Sequence, residues 1–135
     1  MKERFVLDAS ALLSILQDEP GQERVTRILD RSRIHAVNVA EVLGRLVRAG
    51  MPADHACAAL RNLHLEIDED FGAAQAEFCG ALLGTSRDLG LSLGDCICLT
   101  LAAWLGAVAV TADQIWKHLD GTVFRGETIR VEMIR

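Results

Sequence analysis

Residues 92–113 read SLGDCICLTLAAWLGAVAVTAD, and two architectures compete for them. No charge occurs from Cys96 to Ala112, a run near the short limit for a membrane-spanning helix. Three features favour a folded alternative. Asp95 and Asp113 bracket the run, and no basic anchor stands immediately beside it. Gly106 divides it in two. The first part, rich in Leu, Ala and Cys, reads as a helix capped by Ser92 and stopped by Gly106. The second, Ala107 to Thr111, is Val-rich and reads as a strand of a buried parallel sheet. Helix followed by strand is the expectation here.

The same alternation extends to both sides of this segment. Arg4 to Leu7 predicts an opening strand, and the apolar spacing of Ala9 to Gln17 predicts a helix directly after it. Pro20 starts a second helix running to Arg31, with proline near the first turn, where its missing N–H costs nothing. Ile34 to Val37 predicts a strand and Asn38 to Ala49 a helix ended by Gly50. Pro52 opens a further helix, and His64 to Ile67 predicts a short strand. Asp70 to Leu89 predicts a long Ala-rich helix ended by Gly90. Asp113 to Leu119 predicts a short helix, and Thr128 to Ile134 alternates as a last strand. Strands alternating with helices imply an α/β fold, a mostly parallel sheet with helices on both faces. Residues 1–135 are expected to form one domain.

Composition narrows the function classes. The 135 residues are half hydrophobic and include only two prolines, which excludes a disordered or collagenous chain. The formal charge of −5 argues against passive electrostatic binding of nucleic acid. It leaves room for an enzyme that carries metal ions to a phosphate. Cys57, Cys79, Cys96 and Cys98 sit in apolar, helix-like stretches without the spacing of a secreted disulfide scaffold. Met1 to Asp8 holds no apolar run of signal-peptide length. Both points lead to the expectation of a cytoplasmic protein with no membrane association.

Four acids stand where such a fold would gather them. Asp8 follows the first strand, and Asp113 follows the strand at 107–111. Glu41 and Asp95 lie in the first turns of the helices predicted at 38–49 and 92–105. In a parallel α/β sheet the strand-to-helix junctions share one edge, and ligands bind there. Each acid also has a structural reading. Asp8 and Asp113 suit helix N-caps. Asn38-Val39-Ala40-Glu41 and Ser92-Leu93-Gly94-Asp95 resemble capping boxes. Convergence is what favours chemistry. Two carboxylates at about 4 Å repel by ~4 kcal/mol at an effective dielectric near 20, and a fold tolerates that best around a divalent cation. No His or Cys has ligand spacing to the four, so Mg²⁺ or Mn²⁺ fits better than Zn²⁺. Such ions suit in-line phosphodiester hydrolysis and reconcile an acidic chain with a nucleic-acid substrate.

The stretches FVLDASALLSIL around Asp8, NVAEVLGRL around Glu41, LSLGDCICLTLA around Asp95 and AVAVTADQIW around Asp113 occur in this order along nearly the whole chain. In order and spacing they resemble the PIN-domain ribonucleases, especially the small VapC-like toxins of bacterial toxin–antitoxin pairs. The resemblance implies a three-layer α/β/α sandwich and a Mg²⁺- or Mn²⁺-dependent endoribonuclease. It also implies a homodimer and an antitoxin that blocks the site. Residue by residue, it makes Asp8, Glu41, Asp95 and Asp113 the acidic quartet of catalysis and metal binding. Ser10 and Thr111 become hydroxyls that orient ligands or water. Trp116 reads as core. Arg45, Arg48 and Arg87 are candidate phosphate contacts. Two other readings fit the same motifs: a PIN nuclease of RNA processing that is not a toxin, and an inactive PIN-like module that only binds a partner.

Overall fold

The structure, a computed structural model, describes residues 2–135. Its central sheet contains β1 (Phe5–Leu7), β2 (Ser32–His35), β3 (Glu66–Asp68), β4 (Val108–Thr111) and, at its far edge, β7 (Val131–Met133). The strand order is β3-β2-β1-β4-β7, and every pairing in it is parallel. β5 (Val123–Phe124) and β6 (Glu127–Thr128) form a separate antiparallel hairpin. Six helices accompany the strands: α1 (Ala9–Leu16), α2 (Gln22–Ile28), α3 (Ala36–Arg48), α4 (Ala53–Arg61), α5 (Ala73–Thr85) and α6 (Leu93–Leu105).

Side-chain alternation along the strands builds the layers. Phe5 and Leu7 of β1 and Val108 and Val110 of β4 pack with apolar residues of α1 to α4. Val6 and Ala109, between them in sequence, pack with residues of α5 and α6 on the opposite face. A strand covered on both sides carries an uninterrupted apolar run, which explains FVL in β1 and VAV in β4. The result is a three-layer α/β/α sandwich. Trp116 is fully buried in the α5/α6 layer. Among the described residues no helix is long and apolar enough to cross a membrane; the uncharged run at 96–112 is α6 plus β4.

Several expected boundaries move, each for a local reason. The second strand occupies 32–35, not 34–37, and α3 begins at Ala36, not Asn38. His35 causes this. Its backbone is extended, and its Nδ1 accepts from the Val37 N–H at 3.1 Å, so the imidazole caps the helix. Pro20 lies outside α2, whose N-cap is Gly21 at φ +98°. The Ala-rich helix is shorter than 70–89, and a 3-10 turn at Arg87–Leu89 completes the segment. The segment after Asp113 is a 3-10 helix, Gln114–His118. The last strand shrinks to Val131–Met133, because Glu127–Thr128 folds back on Val123–Phe124. Arg125 and Gly126 at that turn have φ of +49° and +84°, the pairing that a two-residue hairpin loop demands.

The sheet order places the site. From β1 the chain moves outward to β2 and β3, then crosses to β4 on the other side of β1. The strand order therefore reverses between β1 and β4, the switch point at which parallel sheets open a crevice beyond their carboxyl ends. Asp8 leaves β1 there. Its N–H donates to Val110 O at 3.0 Å, continuing the ladder by one residue.

Candidate active site

Asp8, Glu41, Asp95 and Asp113 line one cleft of about 370 Å³, together with Ser10, Ser92, Arg45 and Arg135. Three of the acids are also helix caps. Asp8 Oδ1 accepts from the Ala11 N–H at 2.8 Å, and Asp113 Oδ1 accepts from the Ile115 N–H at 3.0 Å. Asp95 closes a capping box: its Oδ2 accepts from the Ser92 N–H at 2.9 Å, and its own N–H donates to Ser92 Oγ at 3.1 Å. The structural and chemical readings thus coexist. One oxygen of each of these carboxylates holds a helix start, and the group still borders the cleft.

Two hydroxyls bind the β1 and β4 junctions together. Ser10 Oγ donates to Asp8 Oδ1 at 2.7 Å and accepts from the Ala112 N–H at 2.8 Å. Thr111 Oγ1 donates to Asp8 Oδ2 at 2.6 Å and accepts from the Asp113 N–H at 3.0 Å. Asp8 therefore has both oxygens engaged while being only 4% exposed. Burial pushes its carboxyl up to about 6, against the opposing pull of Thr111, Ala11 and Ser10; the nearby Asp95 charge adds to the rise. Burial likewise pushes Asp95 up. Its Ser92 hydrogen bonds lower it, the Asp113 charge raises it, and Arg45 lowers it. These carboxylates sense one another, which is the repulsion their convergence implies.

Glu41 reaches the cleft differently. The expected first-turn position is corrected: α3 starts at Ala36, so Glu41 sits in its second turn and Asn38 is no N-cap. Asn38, 1% exposed, works instead as a strut. Its Nδ2 donates to Glu41 Oε1 at 2.7 Å and to Gly94 O at 3.1 Å, tying α3 to the start of α6. The Glu41 carboxylate lies against Gly94, where an added Cβ would come 2.6 Å from Glu41 Cδ. Gly94→Ala is therefore expected to displace the Glu41 side chain at a stability cost of ~1 kcal/mol or less, because the obstructing atoms end a flexible chain. A crystal structure and a melting curve of the variant check this. An unmoved Glu41 would show that the packing has slack.

The sequence pattern found the four acids and both hydroxyls but missed Asn38 as a strut and Arg135 as a lining residue. Asn38 was hidden by its resemblance to a cap, and Arg135 follows a strand far from any motif. Arg48 and Arg87 do not line the cleft. Cys96 and Cys98 lie behind it, buried and free. Burial pushes the Cys96 thiol up to about 12 and the Cys98 thiol well above its ordinary value, and nearby carboxylates add to both shifts. Such thiols form little thiolate.

Among the described residues no three or more His, Cys, Asp or Glu form a ready-made metal cluster. The donor set nevertheless fits a hard cation. Its acids are all carboxylates, no nitrogen or sulfur ligand intrudes on the cleft, and two of them are raised by burial and by a like charge. A cation beside them would offset both.

The PIN domain family model matches residues 5–122. The chain belongs to the PIN domain family. PIN domains are generally nucleases that use divalent metal ions. No curated protein sequence matches the chain, but solved structures do. A DNA-bound VapBC from Salmonella typhimurium is similar at 18% identity and a TM-score of 0.71, covering 99% of this chain and 100% of the other. VapBC2 from Rickettsia felis, bound to a DNA fragment from its promoter, has 16% identity and a TM-score of 0.71 over 96% and 97% of the two chains. VapBC-5 from Mycobacterium tuberculosis, a member of the VapBC family of toxin–antitoxin systems, has 24% identity and a TM-score of 0.62 over 99% of each. At these identities the likeness speaks for the PIN fold.

Proposed function

We propose that this PIN domain is a Mg²⁺- or Mn²⁺-dependent endoribonuclease, the toxin of a toxin–antitoxin pair acting in the cytoplasm. The observation that carries the reading is the convergence of Asp8, Glu41, Asp95 and Asp113 on one cleft at the switch point of the sheet. Asp8, Asp95 and Asp113 would hold the cation, with Glu41 as a fourth carboxylate. The bound ion would supply charge neutralisation and activation of water for in-line attack on a phosphodiester. The chain's own residues do the remaining work. Ser10 and Thr111 fix the rotamer of Asp8 through its two oxygens. Asn38 holds Glu41 against Gly94. The capping bonds of Asp95 and Asp113 keep those carboxylates at their helix starts.

Purified protein, free of partner, is expected to cleave single-stranded or looped RNA with Mg²⁺ or Mn²⁺ and to stop in EDTA. Unchanged cleavage in excess EDTA would overturn the reading, since the proposed mechanism takes its nucleophile from metal-activated water. The lack of a ready-made cluster favours a second reading, an inactive PIN-like binding module. That module would leave RNA intact with every divalent ion.

The toxin assignment is supported by the similar structures, which are described as VapBC complexes. A homodimer and a cognate antitoxin follow from it. The antitoxin would cover the Asp8–Asp95 edge, and an antitoxin Arg or Lys paired with these carboxylates would compete with the cation. Light scattering at tens of micromolar is expected to give a dimer, and a monomer would refute it. Protection from exchange away from the cleft would remove this mode of inhibition.

A further inference from the structure

The acidic cleft contains two cations that form no close ion pair with its acids. Arg45 and Arg135 both line it. Arg24, Arg33 and Arg130 each pair with a carboxylate within 4 Å, whereas among the described residues Arg45 and Arg135 make no such pair. Arg45 lies four positions after Glu41 on α3, on the same helix face. Arg135 approaches from the other side, beyond β7.

The segment that delivers Arg135 is held at four points. Ile134 N–H donates to Thr111 O at 2.9 Å. The Ile134 backbone lies against Gly21, where any Cβ would come 2.6 Å from Ile134 O and 2.9 Å from Ile134 Cβ. Arg24 forks onto Glu132 through Nε at 2.7 Å and Nη2 at 2.9 Å. Arg135 Nη1 donates to Pro20 O at 2.8 Å, which leaves its other N–H groups free. A solvated arginine needs none of this support. The turn at Pro20–Gly21, whose φ of +98° only glycine adopts easily, is shaped to receive the segment.

We propose that Arg45 and Arg135 form a phosphate clamp that positions the backbone of a single-stranded RNA across the acidic cleft. The inference rests on the nuclease reading and adds the residues that hold the substrate. A planar guanidinium with free N–H groups grips a phosphate by two parallel hydrogen bonds, which lysine cannot reproduce. Two such groups on opposite rims would hold a strand whose own charge the acids would otherwise repel. Both are positioning residues: they bind phosphates, not the reacting atoms.

The test uses the full chain and a short labelled single-stranded RNA. Anisotropy in EDTA at low salt reads binding, and cleavage in Mn²⁺ reads KM and kcat. Arg45→Ala and Arg135→Ala are each expected to weaken binding and raise KM roughly tenfold, and each to lower the salt slope of binding by about one. kcat should change less than twofold. Arg45→Lys and Arg135→Lys should restore the slope but only part of the affinity. Arg48→Ala, exposed on α3 but outside the cleft, should behave as the parent. Gly21→Val, checked for folding by its melting curve, should copy Arg135→Ala through displacement of the segment. Unchanged KM and slope in both alanine variants of an active protein would overturn the clamp alone. A loss of kcat at constant KM, or a parent that binds no RNA at low salt, would also overturn it. RNA that binds with the expected slopes but is never cut would overturn the nuclease reading and leave the clamp standing.

Discussion

Replacing Asp8 by asparagine is expected to abolish cleavage and to make the metal-free protein more stable at neutral pH. Burial at 4% exposure holds the Asp8 carboxyl at about 6 against an ordinary 3.8, so at pH 7 most of the folded protein carries a buried charge there. A shift of that size opposes folding of the charged form by ~3 kcal/mol. Asparagine keeps an oxygen for the Ala11 N–H and removes the charge. Its amide must then donate to Thr111, whose hydroxyl is already engaged with the Asp113 N–H, so the expected gain is reduced to about 1–2 kcal/mol. The pH dependence has a definite sign. Between 3.8 and 6 the folded parent binds more protons than the unfolded chain. Its stability from this group is therefore fully present below about 3.8 and is lost as pH rises through 6. The variant's advantage at pH 7 should disappear by pH 4, where the mismatched amide remains and the parent should be the more stable by about 1 kcal/mol. Urea melts in EDTA at the two pH values measure it. A variant less stable than the parent at pH 7 would show that the Thr111 and Ser10 bonds outweigh burial of the charge.

Asp95→Asn carries the second large effect. Asparagine also serves a helix start, so as a cap alone the change would cost at most ~1 kcal/mol and leave activity intact. As a member of the site, Asp95 feels Asp113 and is felt by Asp8. Removing its charge relieves that repulsion, so metal-free stability should hold level or rise by ~1–2 kcal/mol, while cleavage falls by orders of magnitude. The response to Mn²⁺ discriminates further. An ion at ~100 times its dissociation constant stabilises the folded state by ~2.7 kcal/mol, about 8 °C in melting temperature for a domain of this size. The variant should show a much smaller shift. Equal Mn²⁺ shifts with retained cleavage would make Asp95 a cap and nothing more.

The architecture was readable because strands covered on both faces carry uninterrupted apolar runs, and β1 and β4 do. Glycine at 106 and serine at 92 marked the ends of α6 without ambiguity. Legibility failed where an unusual group did a common task. His35 caps α3 with a ring nitrogen, and no propensity rule anticipates that, so strand and helix were both placed two residues late. The hairpin at 123–128 is two residues a side, too short for any periodicity. The convergence of the acids on one cleft was readable from the places of Asp8 and Asp113 after strands and of Asp95 at a helix start, with Glu41 one turn further into α3 than expected. Asn38 and Arg135 were not, because their meaning lies in contacts across α6 and across the Pro20–Gly21 turn.

The double duty of Asp8, Asp95 and Asp113 also bears on the entropy of binding. A free carboxylate must give up rotamer freedom when it takes a ligand. These three have already surrendered it to the backbone N–H groups of Ala11, Ser92 and Ile115. Folding itself therefore preorganises the cleft. A ligand entering it would meet side chains whose motion was frozen when the helices formed, and its dissociation would leave those helices and their caps intact.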